Sequence, residues 1–453
     1  MNIHILGICG TFMGSVAVLA KELGHTVSGS DANVYPPMST QLEAQGIDLM
    51  DGYQASHLKN NYDVIVVGNT VSRGNPAVEY MLDARIPYQS GPQWLSQNLL
   101  GARHVLAVSG THGKTTTSSM LAWILEAAEK KPGFLIGGVA ENFGVSARCG
   151  GSEYFVVEAD EYDTAFFDKR SKFIHYQPQT LIINNIEFDH ADIFDSLADI
   201  RRQFHHLVRI VPASGLIVRH GDDKEIDTVL EKGCWSTLTS FAAENAEWSV
   251  IPLAEDYSEF EVVFENSSKA RVVWNLIGRH NAENAIAAIA AAANVGVSIE
   301  QACVALGEFR SVKRRLQVLG LESGVTLYDD FAHHPTAISA TLSALRAKTG
   351  SDSRIIAVLE PRSNTMKMGV HRDALAGSLD IADEVFLFEP PGLAWDLRNS
   401  MSDSTTDFDI FNDIDQLVAS LIKQSRDGDH VVVMSNGGFH GVHGKILDEL
   451  AKR

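Results

Sequence analysis

The stretch VLAVSGTHGKTTTSSMLAWIL, residues 105–125, sets the tightest limit on how this chain can fold. A short apolar run enters two glycines, Gly110 and Gly113, and leaves them in a segment with helical spacing. A strand that turns through glycine straight into a helix is the working unit of a parallel α/β sheet. The loop reads as G-x-x-x-x-G-K-[ST] with two residues missing, since only Thr111 and His112 separate the glycines. Freed backbone N–H groups and the positive end of the following helix make an anion site there. Lys114 would meet the β- and γ-phosphates, and the Thr115 hydroxyl would reach a Mg²⁺. The plainer alternative is a glycine turn ahead of a helix with a surface lysine. The strand–loop–helix context and the successive threonines Thr115, Thr116 and Thr117 favour the nucleotide.

The same alternation recurs along all 453 residues, too many for one ordinary core. IHILGI, TVSGSD, DVIVVG and IPYQS give residues 1–104 the pattern of a small Rossmann-like domain. Residues 105–312 continue through YFVVEAD and QTLIINNI, then change to GLIVRH, EWSVIPL, SEFEVVF and ARVVWNL. That change predicts an antiparallel sheet added to a central P-loop domain. Residues 313–453 return to VTLYDD, RIIAVLE, DEVFLFEP and DHVVVMS, a doubly wound C-terminal α/β domain. The expected fold class is therefore α/β in three domains.

Several classes are set aside by composition. A formal charge of −20 argues against a nucleic-acid binder, which needs a basic surface to release counterions. Cys9, Cys149, Cys234 and Cys303 are scattered with no C-x-x-C pair, so a reduced, cytoplasmic setting fits best. The apolar N-terminus lacks a basic n-region, and NAIAAIAAAANVGV is too short and alanine-rich to span a bilayer.

Other polar residues cluster at strand ends. Glu158 closes YFVVEAD, where a carboxylate can hold a metal or its waters, and NNIEFDH brings Asp189 and His190 after the next run. GICGTFMG departs from the dinucleotide fingerprint, since Cys9 and Phe12 stand where glycines are required. Gly7, Gly10 and Gly14 still form a turn suited to a diphosphate, and Asp31 ends the second strand near a ribose or base. His205 and His206 read as a solvated helix face. His333 and His334 follow a strand beside Asp329, Asp330 and Pro335, a functional setting.

Together, SGTHGKTTT, VVEADEYD, NNIEFDH, GRHNAENAIAA, VKRRLQ and YDDFAHHPTAI resemble, in order, the motifs of the Mur ligase family, which builds the peptide of bacterial cell-wall precursors with ATP. The shortened loop is similar to that family's own phosphate loop. The resemblance implies ATP and Mg²⁺, with Thr115 and Glu158 on one metal ion and His190 on a second. It implies catalytic roles for Lys114, Glu158, His190 and Arg315. It further implies nucleotide contacts from Gly110, Thr111, His112, Gly113, Lys114, Thr115, Thr116, Asn281, Arg315, Asp330 and His334. Gly7, Cys9, Gly10, Thr11, Met13, Gly14 and Asp31 would bind a UDP-sugar.

HILGICGTFMG is similar to members that accept UDP-N-acetylmuramate. EPRSNTMKMG and MSNGGFHGVHGK look like the branch that recycles murein by attaching the tripeptide L-alanyl-γ-D-glutamyl-meso-diaminopimelate. Arg362, Ser363, Asn364, Ser435 and Asn436 are its candidate peptide contacts. The alternatives are the biosynthetic branch, which adds L-alanine alone, and a non-catalytic sensor of UDP-sugar and ATP. Some family members support a Mg²⁺ on a carbamylated lysine beyond the position of His190. No lysine occurs between Lys172 and Lys224, so another group must complete that site. The expected partners are the two small-molecule substrates, without nucleic acid or stable membrane insertion, in a monomer or weak homo-oligomer.

Overall fold

Apolar runs covered on both faces become central parallel strands in the computed structural model, which describes residues 1–35, 38–265 and 268–453. The first lobe holds β1 (Asn2–Leu6), β2 (Thr26–Asp31), β3 (Asp48–Asp51), β4 (Val64–Val67) and β5 (Tyr88–Ser90), parallel and ordered β3-β2-β1-β4-β5. Strand order reverses at β1, so the crevice beyond its carboxyl end is the natural ligand position. The Gly7–Gly14 loop lies there, and Gly7 adopts φ +83°, a conformation that favours glycine. The helix Thr11–Glu22 follows directly.

The central lobe contains β6 (His104–Ser109), β7 (Gly133–Leu135), β8 (Ala147–Arg148) and β9 (Tyr154–Glu158). A two-strand ribbon, β10 (Asp163–Ala165) and β11 (Asp168–Ser171), separates these from β12 (Thr180–Ile183), β13 (Leu216–His220) and β14 (Thr237–Phe241). Then come β15 (Trp248–Pro252), β16 (Glu259–Phe264) and β17 (Ser268–Val273). Apart from the ribbon, these form one sheet, β17-β16-β15-β14-β13-β12-β6-β9-β7-β8. The antiparallel addition is thus continuous with the parallel sheet, and shorter than the alternation suggested. Strand β13 pairs parallel with β12 and β14, so GLIVRH belongs to the parallel part. Ile217 and Val218 are both fully buried, which five residues of sequence cannot distinguish from a half-exposed strand.

The helix Lys114–Ala127 packs against Arg279–Ala293, whose buried alanines from Ala282 to Ala292 allow close approach. That second helix begins beside the glycine loop. In the third lobe, β18 (Gln317–Glu322), β19 (Val325–Asp330), β20 (Ile355–Leu359), β21 (Glu384–Phe388), β22 (Phe408–Phe411) and β23 (His430–Met434) are ordered β18-β19-β23-β20-β21-β22. All pair in parallel except β18, which lies antiparallel on β19.

His205 and His206 correct the expectation of a solvated face. Both are half-buried on the helix Leu197–Val208, and the His205 ring stacks 6.5 Å from that of Trp235.

Candidate active site

Strand β6 delivers the chain into Gly110 at φ +134° and Gly113 at φ +79°, both conformations that penalise a side chain. Space is also lacking: a Cβ at Gly113 would overlap the Asn284 side-chain oxygen and lie 2.9 Å from Asn184 Nδ2. The helix then opens at Lys114, presenting its free N–H groups to the loop.

Lys114 is held inward. Its Nζ donates to the carbonyls of Gly110 at 2.7 Å and Thr111 at 3.3 Å, and to Glu161 Oε2 at 2.9 Å. The other Glu161 oxygen lies 3.0 Å from His190 Nε2, so one carboxylate joins the lysine and the histidine. Glu161 is only 2% exposed. Burial pulls the Lys114 pKa down, yet Glu161, Asp160 and Glu158 outweigh it and leave the ammonium above its usual value. Burial likewise opposes ionisation of Glu161, but Lys114 and His190 bring its carboxyl below the ordinary range.

The Thr115 hydroxyl donates to Glu158 Oε1 at 2.9 Å, and the Gly137 N–H to Glu158 Oε2 at 2.7 Å. Burial nevertheless keeps the Glu158 carboxyl above its usual pKa, against Gly137, Lys114 and Thr115. Burial thus disfavours the charged carboxylate, and a cation held beside it would favour that form. Asp160, Glu161 and His190 bring donor atoms within 4.8 Å of one another. Hydroxyl, carboxylates and one imidazole form a hard donor set that fits Mg²⁺. His190 sits at φ +56°, where non-glycine residues are uncommon, and its N–H bonds Asp189 Oδ1 at 2.7 Å.

The third lobe closes over this face. Arg315 Nη2 lies 3.5 Å from Thr115 Oγ1, and its guanidinium stacks 4.9 Å from the Phe331 ring. Asp330 is buried and accepts the Leu316 N–H at 2.6 Å and the Ala332 N–H at 2.7 Å, so it fixes the Arg315 segment. The His334 ring lies tilted 4.5 Å from that of His112, and the Thr336 hydroxyl donates to Glu187 at 2.8 Å. Asn281, half-buried at the start of its helix, donates to the Ile277 carbonyl at 2.7 Å. Thr116 is buried in the first turn after the loop.

In the first lobe, both Asp31 oxygens are engaged, by the Cys9 N–H at 2.9 Å and the Asn33 N–H at 3.0 Å. Asp31 therefore braces the turn of Gly7 to Gly14. Burial, helped by Asp31, pushes the Cys9 thiol up to about 11, far from a nucleophilic thiolate. Thr11 opens the helix, and buried Met13 packs where Gly68 and Gly91 leave room for it. Phe12 receives the Lys172 ammonium 5.4 Å above its ring, and Lys172 also pairs with Asp160 at 3.2 Å.

The two loops that carry the peptide candidates approach each other at Gly437 and Arg362. An added Cβ at Gly437, next to Asn436, would overlap the exposed Arg362 guanidinium. Ser363 caps the helix Asn364–Lys367, and Ser435 donates to buried Glu360 at 2.6 Å. Asn364 reaches Asp192 at 2.8 Å, and Thr365 reaches Asp189 at 2.7 Å, tying this loop to the His190 segment.

Sequence reasoning passed over Glu161, Asn184, Asn284, Glu187, Lys172 and Thr365. Glu161 stands three residues after Glu158 in VVEADEYD, and Asn284 three after Asn281 in RHNAEN, so spacing was the available signal. Glu187 and Thr365 take their roles from contacts across lobes, which no local pattern carries.

Three family profiles match in order: "Mur ligase family, catalytic domain" over residues 2–103, "Mur ligase middle domain" over 108–292, and "Mur ligase, glutamate ligase domain" over 314–437. The chain is 56% identical over 453 residues to the UDP-N-acetylmuramate–L-alanyl-γ-D-glutamyl-meso-2,6-diaminoheptandioate ligase of Escherichia coli (strain K12), covering 100% of this chain and 99% of the relative. It is 30% identical to the UDP-N-acetylmuramate–L-alanine ligase of Syntrophomonas wolfei, over 99% of this chain and 97% of that one. The crystal structure of a murein peptide ligase from Psychrobacter arcticus superposes with a TM-score of 0.76 at 46% identity, covering 100% of this chain and 99% of that one. With its loop, carboxylates and lobes arranged as described, the chain belongs to the Mur ligase family.

Proposed function

We propose that this chain is an ATP-dependent, ADP-forming ligase that joins L-alanyl-γ-D-glutamyl-meso-diaminopimelate to UDP-N-acetylmuramate in peptidoglycan recycling. The observation that carries the chemistry is the convergence of Lys114, Thr115, Glu158 and His190 on one face of the glycine loop. The 56% full-length identity to the tripeptide ligase, against 30% to the alanine ligase, supports the peptide as amine.

The reading divides the work among residues 1–104 for the UDP-sugar, 105–312 for ATP and 313–453 for peptide and nucleotide cover. The lactyl carboxylate attacks the γ-phosphorus of ATP, the bond to the β-phosphate oxygen breaks, and ADP leaves. The peptide amine then attacks the acyl phosphate carbonyl, losing a proton as inorganic phosphate departs. Lys114 leaves Glu161 for the phosphates and offsets their charge as the anionic carboxylate approaches. Thr115 and Glu158 would hold one Mg²⁺, and His190 a second with Asp160 or Glu161 beside it. Bound there, Mg²⁺ neutralises charge on the phosphates and the incoming carboxylate. Arg315 reaches the same face from the third lobe, whose closure excludes water from the acyl phosphate. Gly110, Gly113 and the N–H groups of Thr111 to Thr116 cradle the phosphates, while Asn281, Asp330 and His334 border the nucleoside. Arg362, Asn364 and Asn436 face the peptide.

No helix among the described residues is long and apolar enough to cross a membrane. Nucleotide substrates favour the cytoplasm as the setting of such an enzyme. The test is ADP release with ATP, Mg²⁺ and UDP-N-acetylmuramate, offering the tripeptide or free L-alanine and weighing the product by mass spectrometry. A tripeptide adduct is expected, and preference for alanine would assign the chain to the biosynthetic reaction.

A further inference from the structure

A second donor set joins two lobes beside the phosphate loop. His112 in that loop, Glu187 after β12 and His334 at the start of the helix Pro335–Thr349 bring one ligand atom each within 4.8 Å of one another. Glu187 Oε2 lies 3.3 Å from His112 Nε2 and 3.4 Å from His334 Nδ1. N–H···O bonds usually end near ~3.2 Å, so both contacts are long for hydrogen bonds. They match the edges of a tetrahedron, because zinc bonds of ~2.0–2.1 Å set neighbouring ligands roughly 3.3 Å apart.

Hydrogen bonding at His334 does not close. Its Nδ1 stands 3.3 Å from the Thr336 N–H as an acceptor and 3.4 Å from the Glu187 carboxylate. A proton on Nδ1 opposes the Thr336 N–H, and a bare Nδ1 faces a carboxylate lone pair. A cation between imidazole and carboxylate removes the second opposition, with the Nδ1 lone pair on the ion in place of the long 3.3 Å contact from the Thr336 N–H. The other nitrogen, Nε2, is buried without a hydrogen-bond partner in a side chain 7% exposed. His371, whose ring lies 4.2 Å from that of His334, also leaves its Nε2 unpartnered.

We propose that His112, Glu187 and His334 form a binding site for one divalent transition-metal ion of the zinc class, separate from the Mg²⁺ donors at Thr115, Glu158 and His190. Two imidazoles and a carboxylate suit zinc, whereas Mg²⁺ favours sets dominated by oxygen, such as the carboxylates and hydroxyl around the single imidazole of His190. The ion ties the phosphate loop to the third lobe, so excess Zn²⁺ resists reopening and slows turnover. The site rests on geometry alone and stands whether or not the peptide assignment holds.

The test is a Co²⁺ titration of metal-stripped, full-length protein in saturating Mg²⁺, followed by the visible bands of four-coordinate cobalt and their displacement by Zn²⁺. Wild-type protein should develop the bands, and Glu187→Gln, at a half-exposed position, should weaken Co²⁺ binding by at least ~10-fold. Glu161→Gln, which alters the neighbouring Mg²⁺ donor set, should retain them. A wild-type spectrum without bands overturns the proposal by itself, whatever the variants' stability. So does unchanged affinity in a folded Glu187→Gln, or loss of the bands in Glu161→Gln.

Discussion

At the scale of single residues, the site is a balance of buried charges. Glu161 compensates Lys114 and His190 at once, so removing the lysine has two effects. Lys114→Ala should lower ADP formation on the order of 10²-fold or more while UDP-sugar binding persists. It should also cost on the order of 3 kcal/mol of stability by leaving a buried carboxylate underpaired. Kinetics beside a binding titration check the first effect and denaturant melts the second; retained ligation would remove Lys114 from catalysis. His4, fully buried on β1, gives a separate handle on pH. Burial, assisted by His57, lowers its pKa from 6.5 to about 3, and Ser28 and Ser30 bond its ring at 2.9 Å each. The unfolded chain takes the proton first, so stability present above about 6.5 is lost as pH falls toward about 3. At pH 5 the loss is roughly 2 kcal/mol. Melts of His4→Gln should fall less steeply with acid than wild type, and an identical slope would refute the assignment. The glycine loop, Glu158 and His190 were legible because each lies in a local pattern. Asp31 was placed correctly at a strand end, but its engagement with Cys9 and Asn33 is a property of the folded turn.

Among elements, burial forces continuous apolar runs at β1, β4, β6, β9, β12, β20, β21 and β23, and β2, β5, β13, β15, β16, β17 and β19 were legible from shorter or alternating runs between turns. Strands β3, with DLMD, and β14, with TLTSF, are short and polar enough to pass for loops. The edge strands β18 and β22 bury little, so hydrophobicity gives them no signal. The helix Asn364–Lys367 is the element that links the peptide loop to chemistry, through Thr365 on Asp189 and Asn364 on Asp192. Arg362, exposed two residues before it, lays its guanidinium beside Gly437. Replacing Arg362 with alanine should therefore raise the KM for tripeptide several-fold more than that for ATP. Steady-state kinetics varying each substrate decide it, and an unchanged peptide KM would exclude Arg362 from the peptide site.

For the whole molecule, the central and third lobes meet at the phosphate loop, and the first lobe reaches the central one through Ser15 on Ser146 and Phe12 under Lys172. The link to the third lobe carries Ser311, Arg314 and Leu316 at φ +74°, +64° and +47°, three non-glycine residues in the left-handed region. A bridge between Ala140 and Val312 and the Leu316 bond to Asp330 hold this strained segment. Strain stored there suits a joint that moves between open and closed lobes. Deleting residues beyond 313 should leave a protein that binds UDP-N-acetylmuramate but makes no ADP, which calorimetry and an ADP assay would test. The most direct test of the central claim follows an oxygen atom. UDP-N-acetylmuramate labelled with ¹⁸O in its lactyl carboxylate would be turned over with ATP and tripeptide, and the inorganic phosphate weighed. Activation at the Lys114 loop through an acyl phosphate predicts transfer of ¹⁸O into that phosphate. Phosphate without label, formed alongside the ligated product, would contradict it.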